Sequence, residues 1–254
     1  MSLPRRFVAV SAAVLVCAAA AAPADAVVGG TEAPATSYPW LAAVGSPLFV
    51  LRASGQFCGG MLIAPDKVLT AAHCLQLPGP VPVAFPASMM KVTFGRSELA
   101  SGDGTTVGVT SIRLHPGFRV ETVDGVDVYH HDLAILTLSS PQPGPTVDLT
   151  APHGDSATIL GWGGTSTDDT DLSNTRLHEA SVPLVPDTAC AAAYGAAFDP
   201  ADMVCAGSAA ADTGEFDSGG PLIVDGKVVG ITSWARGTAQ PGYPGVYARL
   251  PQPF

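Results

Sequence analysis

Short apolar segments recur between glycine- and proline-containing turns along most of this sequence. With 28 Gly and 23 Pro among 254 residues, turn signals are too frequent for a helical protein. The segments have the length and β-branched content of strands. They are Met61–Ile63, Val68–Thr70, Met89–Phe94, Val107–Leu114 and Leu133–Leu138. This pattern predicts an all-β protein.

Two local signals refine that prediction. Asp225-Gly226 separates two apolar runs and predicts a type I′ hairpin, because both turn residues need a positive φ. One short helix is expected from Thr188 to Tyr194, with Asp187 as its N-cap and Gly195 ending it. The proline-rich segment at 141–145 divides the chain near its middle, so we expect two β halves, about 27–143 and 144–254.

The composition excludes several classes of protein. Hydrophobic residues make up 47% and charged residues 13% of the chain, which excludes a disordered protein. The formal net charge is -10, and the basic pair Arg5-Arg6 is not followed by any basic run. Nucleic acid and anionic membranes are therefore not expected as partners.

The first 26 residues have the features of a secretory signal peptide. Arg5-Arg6 precede an apolar run, Phe7–Ala22, and small residues follow, ending in Ala24-Asp25-Ala26. The apolar run is short for a membrane anchor. Cleavage after Ala26 is predicted, and cleavage after Ala24 is the alternative. We expect a secreted, extracellular protein that has no membrane attachment once the signal is removed.

Four cysteines remain after the leader, which itself contains Cys17. Even numbers of cysteine in an exported protein predict disulfides, and four allow three connectivities. Proximity in sequence favours the pairs Cys58–Cys74 and Cys190–Cys205. The competing prediction, a zinc site, lacks C-x-x-C and H-x-x-x-H spacing. No metal and no cofactor are predicted.

Three polar motifs occur in the order His, Asp, Ser. His73 lies in Thr70–Cys74, Asp132 opens His131–Leu136, and Ser218 lies in Asp217–Pro221. Taken singly, each residue is as well explained by a core, cap or turn position. The order differs from that of α/β-hydrolases, and the G-x-S-x-G motif of those enzymes is absent because Phe216 takes its first position.

When these three motifs are combined with five others, the sequence resembles the secreted serine proteases of the trypsin/chymotrypsin family. The further motifs are Val27–Gly30, Phe57–Gly60, Gly161–Gly163, Ser233-Trp234 and Pro244–Tyr247. The resemblance implies two packed six-stranded antiparallel β-barrels with the active site in the cleft between them. It also implies a monomeric serine endopeptidase whose partners are protein or peptide substrates and proteinaceous inhibitors.

The resemblance assigns the catalytic roles by position. His73 is the general base, Asp132 orients its imidazole, and Ser218 is the nucleophile. The backbone N–H groups of Phe216 and Ser218 form the oxyanion hole. His130 and His131 are interpreted as flanking residues rather than bases.

The same resemblance assigns the specificity pocket and the activation site. Asp212 is the acid at the base of the primary pocket and predicts cleavage after Arg or Lys, with Thr213 beside it as a further hydrogen-bond donor. The new ammonium group of Val27 is expected to pair with the carboxylate of Asp217. The remaining substrate-binding positions are Ser233, Trp234, Ala235 and Gly245.

Some positions depart from the family pattern. Phe216 replaces a glycine, so a side chain is present where the backbone needs unusual angles. Gly214 and Thr238 stand where many members have a disulfide, and Ala235 replaces a glycine of the pocket wall. These departures leave a second hypothesis open, a catalytically impaired protease-like binding module.

Overall fold

A computed structural model of the protein describes residues 27–77, 83–149, 154–168 and 173–251. The predicted signal peptide lies outside these described residues. Strands dominate the described part of the chain, which contains a single α-helix. None of the helices described there is long and apolar enough to cross a membrane.

The first half of the chain forms a closed antiparallel barrel. Its strands are β1 (Thr31–Glu32), β2 (Leu41–Gly45), β3 (Gln56–Ala64), β4 (Lys67–Thr70), β5 (Gln76–Leu77), β6 (Val83–Ala84), β7 (Lys91–Phe94), β8 (Thr105–Leu114), β9 (Arg119–Val123), β10 (Val126–His130) and β11 (Ala134–Leu138). Six of them close in the order β11-β4-β3-β2-β7-β8. β9 and β10 form a separate hairpin, as do β5 and β6. Short 3₁₀ segments lie at Ala35–Ser37, Ala53–Gly55, His73–Leu75 and Ala87–Met89.

The second half forms another closed barrel. Its strands are β12 (Ser156–Gly161), β13 (His178–Val185), β14 (Met203–Ala206), β15 (Pro221–Val224), β16 (Lys227–Trp234) and β17 (Gly245–Arg249). They run in the order β13-β12-β15-β16-β17-β14, and β14 pairs back onto β13. Although β1 precedes the first barrel in sequence, it pairs with β13. The prediction of two six-stranded antiparallel barrels is confirmed.

The two barrels pack on each other through one continuous apolar core. Alternating burial along β11 places Ala134, Leu136 and Leu138 inside the first barrel, as the period of a strand requires. The same buried cluster continues into Leu160 and Ile231 of the second barrel. This packing fixes the position of the loops that face each other across the cleft.

The predicted hairpin is confirmed and the predicted helix needs one correction. Asp225 and Gly226 have φ of 47° and 75°, as a type I′ turn requires. The helix α1 spans Asp187–Tyr194, and Gly195 ends it with a φ of 58°. Asp187 is not the N-cap, because that position belongs to Pro186. The Asp187 carboxylate instead accepts a hydrogen bond from Arg249 at 2.6 Å.

Both disulfides have the connectivity favoured by sequence proximity. Cys58 pairs with Cys74, and Cys190 pairs with Cys205, with Cα–Cα distances of 6.4 Å and 6.2 Å. The first bridge joins β3 to the 3₁₀ segment that carries His73. The second joins α1 to β14. Each barrel therefore contains one disulfide.

Candidate active site

His73 and Asp132 form a tightly bonded pair on the first barrel. His73 begins the 3₁₀ segment after β4, and Asp132 lies in the connection from β10 to β11. The buried Asp132 carboxylate accepts hydrogen bonds from the His73 backbone N–H at 2.8 Å and from His73 Nδ1 at 2.7 Å. Burial opposes ionisation, but the contacts with His73 hold the pKa of Asp132 below its usual value. The pair fixes the imidazole with Nδ1–H toward the carboxylate.

Two further side chains contact the His73–Asp132 pair, and neither contact was predicted from the sequence. The hydroxyl of Ser233, at the end of β16, donates to Asp132 Oδ2 at 2.5 Å. The ring of Tyr129 stacks on the imidazole of His73, with centroids 4.6 Å apart and planes 12° from parallel. Ser233 was predicted only as a substrate-binding residue. Its hydroxyl connects the second barrel directly to the His73–Asp132 pair.

Ser218 is presented by a backbone-bonded turn on the second barrel. Its carbonyl accepts the N–H of Gly59 from β3 at 2.7 Å, which joins the two barrels at this point. Gly219 has a φ of 80°, and a Cβ there would lie 2.4 Å from the Gly59 carbonyl oxygen, so the turn requires glycine. In the described structure Ser218 Oγ and His73 share no hydrogen bond, and His73 Nε2 lies 3.8 Å from Cys74 Sγ. Catalytic hydrogen bonds often tighten only when substrate binds.

Phe216 adopts a positive-φ backbone conformation, which glycine enters readily. Its φ is 72°, in the left-handed region that a bulky residue rarely enters. Three side chains of the first barrel contact this residue. The Arg52 guanidinium lies 4.5 Å from the Phe216 ring centroid, the Phe49 ring packs edge-on at 5.9 Å, and Gln56 Nε2 donates to the Phe216 carbonyl at 3.0 Å.

Arg52 is itself fixed from the opposite side. It is 7% exposed, and its Nη2 donates to the carbonyls of Trp162 at 2.5 Å and Asn174 at 2.6 Å. Burial lowers the pKa of Arg52, and the charges of Asp217 and Glu215 oppose this effect. A single arginine after the apolar run at 48–51 is the only sequence signal for this arrangement. Its contact with Phe216, far along the chain, is set by the packing of the two barrels.

Asp217 is a buried carboxylate held by backbone donors. The N–H groups of Gly163 and Gly214 donate to it at 2.7 Å and 2.9 Å. Burial raises the pKa of Asp217 to about 7, although these two hydrogen bonds and the charge of Arg52 oppose the shift. Val27, its predicted partner, is completely buried in the core of the second barrel, and the neighbouring Val28 forms a β-bridge with Asp212.

A cavity of about 200 Å³ opens beside Ser218. Among the predicted pocket residues, those lining it are Thr213, Ser233, Trp234 and Ala235. Gly214 and Thr238 also line it. Glu215, which the sequence reading did not assign, adds a carboxylate to the lining.

Asp212 and Gly245 lie against each other next to this cavity. Asp212 is 1% exposed, and its carboxylate accepts the N–H groups of Thr213 at 2.9 Å and Ala239 at 3.1 Å. A Cβ on Gly245 would lie 2.7 Å from Asp212 Oδ1, so any larger residue there would displace the carboxylate. These two backbone N–H groups hold the Asp212 carboxylate in place next to the cavity.

Two facing barrels that present a His–Asp pair and a serine turn across one cleft define the class of double-barrel serine proteases. Comparison with known proteins agrees. The family model described as Trypsin matches residues 27–253. A trypsin from Saccharopolyspora erythraea is 39% identical over 88% of this chain and 93% of its own length. A trypsin from Sarcophaga bullata is 33% identical over 97% of this chain and 94% of its own, and trypsin delta from Drosophila erecta is 33% identical over 88% and 84%.

The chain therefore belongs to the trypsin family. It is a trypsin-like serine endopeptidase, an enzyme class that acts on protein or peptide substrates.

Proposed function

We propose that the protein hydrolyses peptide bonds through a triad of His73, Asp132 and Ser218. The observation that carries this proposal is the buried Asp132 carboxylate, which accepts both His73 Nδ1 and the His73 backbone N–H. With Nδ1–H engaged, the lone pair of Nε2 is available as a base. A serine hydroxyl is a poor nucleophile at neutral pH and needs such a base.

The reaction proceeds in two halves. His73 Nε2 takes the hydroxyl proton as Ser218 Oγ bonds to the substrate carbonyl carbon. The proton then passes from His73 to the leaving amine as the peptide bond breaks, and an acyl-enzyme remains. Water attacks this ester with His73 again as base, which releases the acid and restores Ser218. Asp132 keeps its negative charge and stabilises the imidazolium in both halves.

The backbone N–H groups of Phe216 and Ser218 stabilise the oxyanion of each tetrahedral intermediate. The φ of 72° at Phe216 supports this assignment, because it is a conformation that glycine, the residue the family resemblance places there, adopts without strain. The contacts of Arg52, Phe49 and Gln56 hold the residue in that conformation.

Labelling with a fluorophosphonate probe tests the nucleophile. We expect one probe per wild-type chain, no labelling of Ser218→Ala, and a loss of several orders of magnitude in kcat for that variant. Ser181→Ala, an exposed serine on β13, is the matched control and should label like wild type. Labelling of Ser218→Ala at the wild-type rate would refute the triad.

The second candidate function, a catalytically impaired protease-like binding module, is favoured by one observation. A bulky residue occupies an oxyanion-hole position, where a small backbone shift would remove one donor. This hypothesis predicts that peptides bind to the wild-type protein while fluorophosphonate labelling and turnover are both absent.

We further propose that Asp212 directs cleavage to the carboxyl side of Arg and Lys. A desolvated carboxylate pairs a guanidinium through two charge-assisted hydrogen bonds and rejects uncharged side chains, which would leave it without a cation. Thr213 and Glu215 in the cavity lining support a cationic side chain there. The pocket lacks the disulfide at Gly214 and Thr238, so we expect Arg over Lys with a modest preference.

Peptides that vary only at the residue before the scissile bond test this specificity. Wild type should prefer Arg, and Asp212→Ser should lose that preference while it keeps slow turnover of other peptides. Asp103→Asn, an exposed aspartate far from the cavity, is the control. A wild-type preference for Phe, Leu or Ala would contradict the proposal.

We also propose that the protein is secreted and that signal removal after Ala26 exposes Val27 directly. The complete burial of Val27 and two disulfides in the described structure support export and an inserted N-terminus. N-terminal sequencing of the active extracellular protein should give Val27 as the first residue. A fully active enzyme that begins at residue 25 or earlier would rule out this route of activation.

A further inference from the structure

A second cluster of ligand-type side chains lies outside the cleft, where the two barrels meet. It consists of His130 at the end of β10 together with Asp199 and Asp202, which precede β14. One ligand atom of each residue lies within 4.8 Å of the other two. His130 and Asp202 are buried and Asp199 is exposed, so the cluster has one side open to solvent. The proposed triad and the Arg/Lys pocket use none of these side chains.

One nitrogen of the His130 imidazole lacks a hydrogen-bond partner. Its Nδ1 is buried and forms no hydrogen bond within the described structure, although Asp202 Oδ2 lies 3.4 Å away. The other ring nitrogen, Nε2, faces the Glu121 carboxylate at 3.7 Å, which favours the proton on Nε2. In that tautomer the Nδ1 lone pair faces a carboxylate oxygen. A lone pair that faces a carboxylate oxygen in this buried position is unfavourable unless a cation lies between them, and either a proton on Nδ1 or a metal ion supplies one.

The spacing fits a metal ion. Around a tetrahedral ion with bonds of about 2.0–2.1 Å, neighbouring ligand atoms are about 3.4 Å apart. The separation of His130 Nδ1 and Asp202 Oδ2 has this value, and the contact is not aligned as a hydrogen bond. One imidazole and two carboxylates suit zinc and similar divalent ions, and the exposed side leaves a position for water.

Neighbouring groups orient the three ligands. Asp202 Oδ2 accepts the backbone N–H of His131 at 2.7 Å and lies 3.9 Å from His131 Nδ1, and Asp199 Oδ1 accepts the N–H of Ala201 at 2.9 Å. Glu121 takes the position of the carboxylate that commonly supports a metal-bound histidine.

We propose that His130, Asp199 and Asp202 bind a divalent metal ion of the zinc type. The site joins the β9–β10 hairpin to the second barrel two residues before Asp132. Ion binding stabilises the folded protein by mass action, because the three ligands come together only when both barrels are folded. The segment that carries Asp132 is thereby fixed to the second barrel.

Titration of chelator-treated protein with Zn²⁺ tests the site. The Ser218→Ala background prevents self-digestion, and the readouts are bound zinc per chain and the shift in Tm. We expect one zinc per chain and a Tm that rises with zinc concentration. His130→Gln and Asp199→Asn should each weaken binding at least tenfold and remove the Tm shift, and Glu121→Gln should weaken binding about tenfold.

Two controls keep the result specific to this cluster. His115→Gln removes a histidine that stacks on His131 but is not part of the cluster, and Asp127→Asn removes an exposed carboxylate of the same hairpin. Both should retain full zinc binding. Absence of saturable binding, or one zinc per chain retained in both His130→Gln and Asp199→Asn, would overturn the proposal. Because the readouts do not depend on catalysis, this outcome is independent of the proposed triad.

Discussion

The two barrels hold their parts of the proposed active site by different means. On the first barrel, His73 and Asp132 are positioned through side-chain bonds that converge on one buried carboxylate. On the second, backbone–backbone bonds position Ser218 and the glycines after it, such as Gly220 N–H to the Asp217 carbonyl and Gly219 N–H to the Thr232 carbonyl, each at 2.9 Å. Side-chain contacts act on the two preceding residues, Phe216 and Asp217.

This difference predicts how each half responds to substitution. A side-chain bond is lost when one residue changes, and the surrounding backbone stays in place. A backbone-defined turn tolerates a change of side chain as long as the new residue accepts the same φ and ψ. The first half should therefore be sensitive to residue chemistry, and the second half to backbone conformation.

The largest effect is expected for Asp132→Asn. The amide would present N–H groups to the Ser233 hydroxyl and to His73 Nδ1–H, which favours the wrong imidazole tautomer. We expect kcat to fall by about 10⁴, the scale already established for the equivalent change in this class of protease. Steady-state kinetics and Tm measure it, with the exposed Asp127→Asn as control. A loss smaller than tenfold would show that Asp132 does not orient His73.

The next largest effect is expected for substitutions of Phe216. They test whether the turn on the second barrel depends on backbone conformation rather than on the side chain. Phe216→Val places a β-branched residue at a φ of 72°, so the turn should shift and lose one oxyanion donor. We expect kcat to fall about 10²-fold, the cost of one such donor. Phe216→Gly accepts the same φ and should stay within about threefold of wild type.

The pair of variants separates two causes. If Phe216→Gly loses as much activity as Phe216→Val, the ring contacts with Arg52 and Phe49 position the backbone N–H of Phe216. Backbone conformation alone would then not explain the function of this residue. Tm values for both variants show whether either change acts through general destabilisation.

The raised pKa of Asp217 predicts that stability depends on pH differently in chains that start at Ala26 and in chains that start at Val27. The folded-state pKa of Asp217 is about 7 and an unfolded carboxyl titrates near 4, so the folded protein binds the extra proton between these pH values. The contribution of this carboxyl to the free energy of unfolding is then greatest below about pH 4 and falls, by a few kcal/mol, up to about pH 7. An ammonium group on Val27 should offset this loss until it deprotonates above about pH 8.

Thermal unfolding from pH 3 to 9 measures the effect, in the Ser218→Ala background to prevent self-digestion. The chain that starts at Ala26 should lose Tm between pH 4 and 7, and the chain that starts at Val27 should lose less. Asp217→Asn should remove this difference. Identical curves for the two starting points would contradict the Val27–Asp217 pair.

The smallest effect is expected for the Tyr129 ring, which stacks on the imidazole of His73. Tyr129→Ala removes the contact at 4.6 Å and lets the imidazole tilt, so kcat/KM should fall about fivefold. Tyr129→Phe keeps the ring and should behave like wild type. A tenfold loss of kcat/KM in Tyr129→Phe would show that the hydroxyl group, rather than the ring, supports catalysis.

Features that depend on neighbouring residues could be predicted from the sequence. The strand segments, the positive φ at Asp225-Gly226 and the disulfide between nearby cysteines follow from local spacing and turn chemistry. The motifs around His73, Asp132 and Ser218 identified the family because each is a short contiguous pattern. The error at the start of α1 was also local, since Pro186 takes the cap position that Asp187 was expected to fill.

Other features were decided by the tertiary structure alone. Ser233 reaches Asp132 across 101 residues, Arg52 packs on Phe216 from the other barrel, and His130 meets Asp199 and Asp202 although no metal-binding spacing exists in the chain. Sequence periodicity reports which face of a strand is buried, and it carries no information on which distant loop packs beside it. Closure of the two barrels and their packing on a shared core set those neighbours.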